Sequence, residues 1–153
     1  MVKYHSVIDL NSFMAKALQS ANEAFKTNEV PVGAVIVQNN EIICCAHNLT
    51  RTDCDVTSHA EILAIRKAEH ILGDWRLCNC ELYVTLEPCM MCMGAIINSR
   101  ISRIYFGAYD KDFGFALSNH STIPHNIEIY GGMCESQCEK LLKDFFKKCR
   151  HNL

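Results

Sequence analysis

The chain has 153 residues, 49% of them hydrophobic, and carries 15 basic against 17 acidic side chains for a formal net charge of -2. That length suits a single domain over residues 1–153 with a sizeable core, and the near-neutral balance leaves any nucleic-acid contact to a local patch rather than to the field of the whole protein. No apolar run reaches the length of a membrane span and Met1-Val2-Lys3-Tyr4-His5 opens no signal region, so the expectation is a soluble cytoplasmic protein without a membrane partner.

From Leu10 to Lys26 the apolar residues Phe13, Met14, Ala17, Leu18, Ala21, Ala24 and Phe25 recur at helical spacing, with Asp9 placed to cap the start. Val30 to Val37 is a near-continuous apolar run ending at Asn39-Asn40, and Glu41 to Ala46 resumes as a second strand, which predicts a hairpin buried on both faces. Leu49 to Val56 is polar and irregular. Ile62, Leu63, Ile65, Ala68 and Ile71 then mark a helix ending near Gly73-Asp74. Leu82 to Leu86 reads as a third strand, Pro88 as the first turn of a helix running through Ile96 and Ile97, and Arg103 to Phe106 as a fourth strand. Residues 107–125 read as a long loop, Ile127 to Tyr130 as a short fifth strand and Glu135 to Lys148 as the last helix. Hydrophobic strands alternating with helices predict an α/β fold in which helices cover both faces of a mixed five-stranded sheet.

Chemistry concentrates in two short stretches, Thr57-Ser58-His59-Ala60-Glu61 and Glu87-Pro88-Cys89-Met90-Met91-Cys92. His59, Cys89 and Cys92 match in number and kind the three protein ligands of a catalytic zinc, whose fourth position is left to water. Cys89 and Cys92 are one helical turn apart, and a helix N-terminus would help keep both sulfurs as thiolates. Glu61 could then act as a proton carrier without being a ligand. Two residues apart on a regular helix diverge by about 200 degrees, so the pattern requires His59 just outside the helix and Glu61 just inside it.

Plainer readings exist for each stretch. Ser58 to Glu61 is also a capping box with no chemistry, and Cys-x-x-Cys could be a redox pair. A structural zinc would need a fourth ligand, which Cys54, Cys78, Cys80, His47 or His70 could supply. Both stretches lie at predicted helix starts, and that conjunction favours a catalytic metal. The other cysteines of the ten, among them Cys134 and Cys138, follow no disulfide framework and are expected as reduced packing thiols.

His59-Ala60-Glu61 and Pro88-Cys89-Met90-Met91-Cys92 match the H-x-E and P-C-x-x-C signature of the zinc nucleobase deaminases. Nearly the whole chain resembles the bacterial tRNA-specific adenosine deaminases within that superfamily. The similarity runs through Glu29-Val30-Pro31-Val32-Gly33-Ala34-Val35, Asn48, Leu82 to Cys89, and Phe106-Gly107-Ala108 with Asp110. The resemblance implies a three-layer α/β/α cytidine-deaminase-like fold and hydrolytic deamination of adenosine to inosine at the wobble position of a tRNA anticodon. It implies zinc held by His59, Cys89 and Cys92, with Glu61 taking a proton from the attacking water and passing protons to N1 and to the departing amine. It further implies that Asn48 hydrogen-bonds the flipped base, that the Ala60 backbone lies against it, that Asp110 sits near the ribose, and that the protein is a homodimer gripping an anticodon loop.

Asn48 could equally only end a strand, and Asp110 only shape a turn. The basic residues Lys140, Lys143, Lys147, Lys148, Arg150 and His151 could grip anticodon-stem phosphates or form the solvated face of the last helix, with at least one of Phe145 and Phe146 in the core. The sequence departs from the family pattern at Val56, Ser58 and Tyr109, and in a loop, Phe115 to His120, that looks short. Two alternatives stand beside the tRNA reading: a deaminase of a free base or nucleotide such as guanine or cytosine, and a binding module with a structural zinc.

Overall fold

The computed structural model describes residues 7–117, 123–124 and 126–151, with side chains from Leu10 onward except that of Leu117. An apolar stripe drives the first helix, α1 (Val7–Lys26), whose Phe13, Met14, Ala17, Ala21 and Ala24 recur every three or four residues and are all buried. A hairpin follows, β1 (Gly33–Gln38) and β2 (Glu41–His47). Its turn residues Asn39 and Asn40 both have positive φ, 51° and 68°, the combination that a two-residue type I′ connection requires and that asparagine tolerates. Next come a single-turn helix α2 (Thr50–Asp53), α3 (Ala60–Leu72), β3 (Cys80–Leu86), α4 (Met90–Asn98) and β4 (Arg103–Ala108). A short 3-10 turn at Phe115–Leu117, β5 (Glu128–Tyr130) and α5 (Glu135–His151) complete the order.

The strands lie in the order β2-β1-β3-β4-β5; β1 is antiparallel to both β2 and β3, whereas β3, β4 and β5 run parallel. Side chains alternate across a strand, so β1 sends Ala34 and Ile36 to one face and Val35 and Val37 to the other. The first face joins Leu82, Val84, Ile104 and Phe106 to the buried Ala64, Ile65 and Ala68 of α3 and Met93 and Ile96 of α4. On the second face Tyr83 and Tyr105 pack with Phe13, Met14 and Ala17 of α1 and Cys138 of α5. The result is the expected α/β/α sandwich around a mixed five-stranded sheet. Gly33 is where α1 presses hardest on the sheet, since a Cβ there would overlap the backbone of Ala17 and Ala21.

Several boundaries differ from the sequence reading. Helix α1 starts at Val7, so Asp9 lies inside its first turn and does not precede it. Of the two hairpin strands only β1 is buried on both faces; β2 is an edge strand whose Glu41 and Ile42 are exposed, because hydrogen bonding on one side alone leaves it at the rim. The irregular stretch Leu49 to Val56 contains the turn of α2. Pro88 stands one residue before the N-cap Cys89 and so outside α4. Of the loop expected to be short, Phe115 to Leu117 form the 3-10 turn, and residues 118–120 lie outside the described residues.

Candidate active site

Two helix N-termini converge beside the carboxyl end of β3, and their N-caps are His59 and Cys89. Both have extended backbones, at φ -75°, ψ 151° and φ -75°, ψ 172°, and neither helix start has a side-chain cap hydrogen bond. The first-turn amides therefore lend their partial positive charge to whatever lies between the two helices. His59 Nδ1 is 3.5 Å from Cys92 Sγ and 3.7 Å from Cys89 Sγ. The three ligand atoms all lie within 4.8 Å of one another and could hold a metal ion. Among the described residues none of Cys54, Cys78, Cys80, His47 and His70 joins this cluster, so no fourth protein ligand closes the set.

Glu61 is the second residue of α3, one step inside the helix that His59 caps, and it is only 4% exposed. Burial pushes its carboxyl above the usual carboxylate range, against the opposing pull of its own backbone amide and of His59. Cys89 is held down to about 4, chiefly by the hydrogen bond from Cys92 and, after the opposing effect of burial, by His59. The Cys92 thiol is pushed up, first by that same pairing and then by burial. The capping-box geometry does not form. Ser58 donates its hydroxyl to Asp53 Oδ2 at 2.8 Å, and its carbonyl accepts the amide of Leu49 at 3.0 Å, which closes the strap of residues 49–58 over the helix entry.

A cavity of about 520 Å³ opens in front of these groups. Asn48, Ala60 and Asp110 all line it together with His59, Glu61 and Cys89, whereas Cys92 lies behind the wall. Asn48 is held at both ends of its amide: Nδ2 donates to Glu29 Oε2 at 3.4 Å and Oδ1 accepts the Thr50 hydroxyl at 2.8 Å. Asp110 does shape a turn, its Oδ1 accepting the amides of Asp112 and Phe113 at 3.0 Å each.

Two buried carboxylates escaped the sequence reading as working parts. Glu29 is 0% exposed and accepts the Thr52 amide and hydroxyl at 2.7 and 2.9 Å and the Arg51 amide at 3.2 Å, thereby fixing α2 against the cavity. Glu87 accepts the amides of Asp110 and Ala116 at 3.0 Å each and so ties the loop after β4 to the start of α4. The available signal was an acid abutting an apolar run: Glu29 precedes Val30 to Val37, and Glu87 follows Leu82 to Leu86. In α5, Phe145 is buried against Phe25 while Phe146 is 46% exposed. Lys140 and Lys143 pair with Asp144 and Glu139 on their own helix, and Lys148 reaches Asn28.

The model of the MafB19-like deaminases matches residues 8–150. The tRNA-specific adenosine deaminase of Bacillus subtilis (strain 168) is 42% identical over 143 residues, covering 90% of this chain and 89% of that one. Its counterpart from Aquifex aeolicus (strain VF5) is 44% identical over 146 residues, covering 92% and 96%. The chain belongs to the tRNA-specific adenosine deaminase family. A solved structure from work on A-to-I editing by tRNA:A34 deaminases at the wobble position of transfer RNA superposes on this deaminase with a TM-score of 0.81, at 43% identity over 86% of this chain and 99% of that one. A guanine deaminase from Bacillus subtilis is more distant, with a TM-score of 0.64 and 34% identity over 78% of this chain and 81% of that one. Among the described residues no helix is long and apolar enough to cross a membrane.

Proposed function

We propose that the chain acts as a single cytoplasmic domain, 1–153, that hydrolyses adenosine to inosine at the wobble position of a tRNA anticodon. The observation that carries the chemistry is the buried Glu61 carboxyl at the second position of α3, beside a His59, Cys89 and Cys92 set that no fourth ligand joins among the described residues. One imidazole and two thiols converging at two helix N-termini suit zinc, which when bound supplies a Lewis acid that makes a water acidic near neutral pH.

Glu61 takes the proton of the attacking water as its oxygen adds to C6 of adenine. It returns that proton to N1, then takes the proton of the new C6 hydroxyl and passes it to the exocyclic nitrogen, so the C6–N bond breaks, ammonia leaves and the C6 carbonyl of inosine remains. A carboxyl whose charged form is disfavoured by burial can hold the proton between these steps. Asn48, clamped at both ends, offers its remaining N–H and oxygen lone pair to the base, while Ala60 provides a small wall and Asp110 stands at the ribose side. The unstacked anticodon loop lowers the cost of delivering the base to a closed pocket. The active form is a homodimer.

Incubation with unmodified tRNA followed by nucleoside analysis tests the reading. Inosine is expected at the first anticodon position, and its absence, or ammonia release from free guanine or cytosine instead, would replace tRNA as the substrate.

A further inference from the structure

Phe113 is 75% exposed and at the same time lines the mouth of the cavity. Its ring has no ring partner among the described residues, unlike Tyr109, which packs edge-on against Phe106, and Phe115, which also packs against Phe106. Phe113 is also held firmly. Its amide and that of Asp112 bind Asp110 Oδ1, the Gly114 amide reaches Asp110 O at 3.2 Å, and the Phe115 amide reaches Pro88 O at 2.9 Å. Glu87 grips the same turn on either side, at Asp110 and Ala116, and Gly114 leaves no space for a Cβ between Asp110 O and the Glu87 carboxylate. An aromatic ring is thus presented to solvent on a turn whose backbone is held at several points, at the entrance through which a nucleoside in an RNA chain must pass.

We infer that Phe113 is a stacking platform for the nucleobase that adjoins the target adenosine. The inference rests on the function proposed above, because a nucleoside delivered in a polynucleotide brings its neighbours to the mouth. Their unstacked bases expose π faces, and a flat apolar ring carried on a held backbone has only its two side-chain torsions to lose on receiving one. Arg51, which also lines the cavity and whose guanidinium donates to Asn28 O at 3.1 Å, supplies positive charge for the connecting phosphates. Stacking of this kind reads any base, so it adds affinity without imposing a particular neighbour.

The test uses an anticodon stem-loop RNA carrying 2-aminopurine at each neighbour of the target in turn. The wild-type protein is expected to quench its fluorescence at one of the two positions, Phe113→Ala to lose that quench, and Phe113→Tyr and Phe113→Trp to keep it. In turnover, Phe113→Ala is expected to raise KM about tenfold with kcat within about twofold, and an abasic nucleotide at the quenched position should bring wild type and variant together. Unchanged quenching in Phe113→Ala, or a KM difference that survives on both abasic substrates, overturns the inference. The fluorescence arm needs no turnover, so a protein that makes no inosine would defeat the proposed function while the quench still decides the role of Phe113.

Discussion

Asn48 Nδ2 donates to Glu29 Oε2 at 3.4 Å, and this buried carboxylate, with no ion-pair partner among the described residues, also accepts two backbone amides and a hydroxyl of α2. The part of the cavity wall formed by Asn48 and α2 is therefore built around this one acid. Glu29→Gln places an NH₂ group where every neighbour donates. Stability is expected to fall by about 1–3 kcal/mol, the cost of leaving buried donors unpaired, as read from urea unfolding. Inosine formation should fall with it, because the Asn48 amide is then free to turn. Wild-type stability together with wild-type turnover would show that Glu29 does not organise the wall.

Gly114 faces the Glu87 carboxylate with no room to spare: a Cβ there would come within 2.5 Å of both Asp110 O and Glu87 Cδ. Gly114→Ala should push the Asp110 to Phe113 turn away from the cavity while both core clusters stay intact. The expected result is a thermal midpoint lowered by only a few degrees, by analogy with a loss of about 1 kcal/mol in a domain this size, with a larger proportional loss in kcat/KM. Equal activity would separate that turn from the reaction.

Glu61→Gln keeps the shape of the side chain and removes its proton chemistry. Metal content and fold are expected to persist while turnover drops at least roughly a hundredfold. Stripping the metal with a chelator should abolish wild-type turnover and added zinc should restore it, whereas zinc should restore nothing in Glu61→Gln. Metal analysis beside the nucleoside assay separates loss of the ion from loss of the proton carrier, and unchanged turnover in Glu61→Gln would remove it from the mechanism.

Three thiols outside the site, Cys44, Cys80 and Cys138, make the fold sensitive to alkali, and burial pushes Cys138 up to about 12. Burial pushes Cys44 and Cys80 to about 11 from an ordinary value of 9.0, helped by neighbouring Cys45 and Cys78 respectively. The folded chain therefore keeps protons that the unfolded chain gives up. The stability they contribute is whole below about pH 9 and is lost as the pH rises towards about 11. Urea midpoints taken across that interval should fall, and fall less steeply in Cys44→Ala; an identical slope would assign the loss to other groups.

Much of the site was legible because its motifs are local. The Ser58 to Glu61 and Pro88 to Cys92 stretches carry their own helix starts, so the positions of His59 outside α3 and Glu61 inside it follow from where a helix can begin. The capping box was the weaker inference, since the helix takes His59 as its N-cap and leaves Ser58 one residue before it, where its hydroxyl donates to Asp53 across the folded strap. The hairpin read as buried on both faces for a related reason: apolar content is visible in the chain, but whether a strand is central or at the edge depends on its neighbours. Strand β1 gained β3 as a partner, and β2 gained none beyond β1.

Residue types and their spacing were thus enough for the alternation of helices and strands, the three candidate ligands and the acid beside them. These are properties of short segments, governed by periodicity, capping and the donor chemistry of histidine and cysteine. Long-range contacts supplied the rest. Glu29 and Glu87 became structural anchors only when distant amides of Arg51, Thr52, Asp110 and Ala116 turned towards them. Phe113, one phenylalanine among seven in the sequence, became an exposed ring at the cavity mouth through the same closure. A buried carboxylate must collect its donors from wherever the chain passes, and no local pattern records which amides those will be.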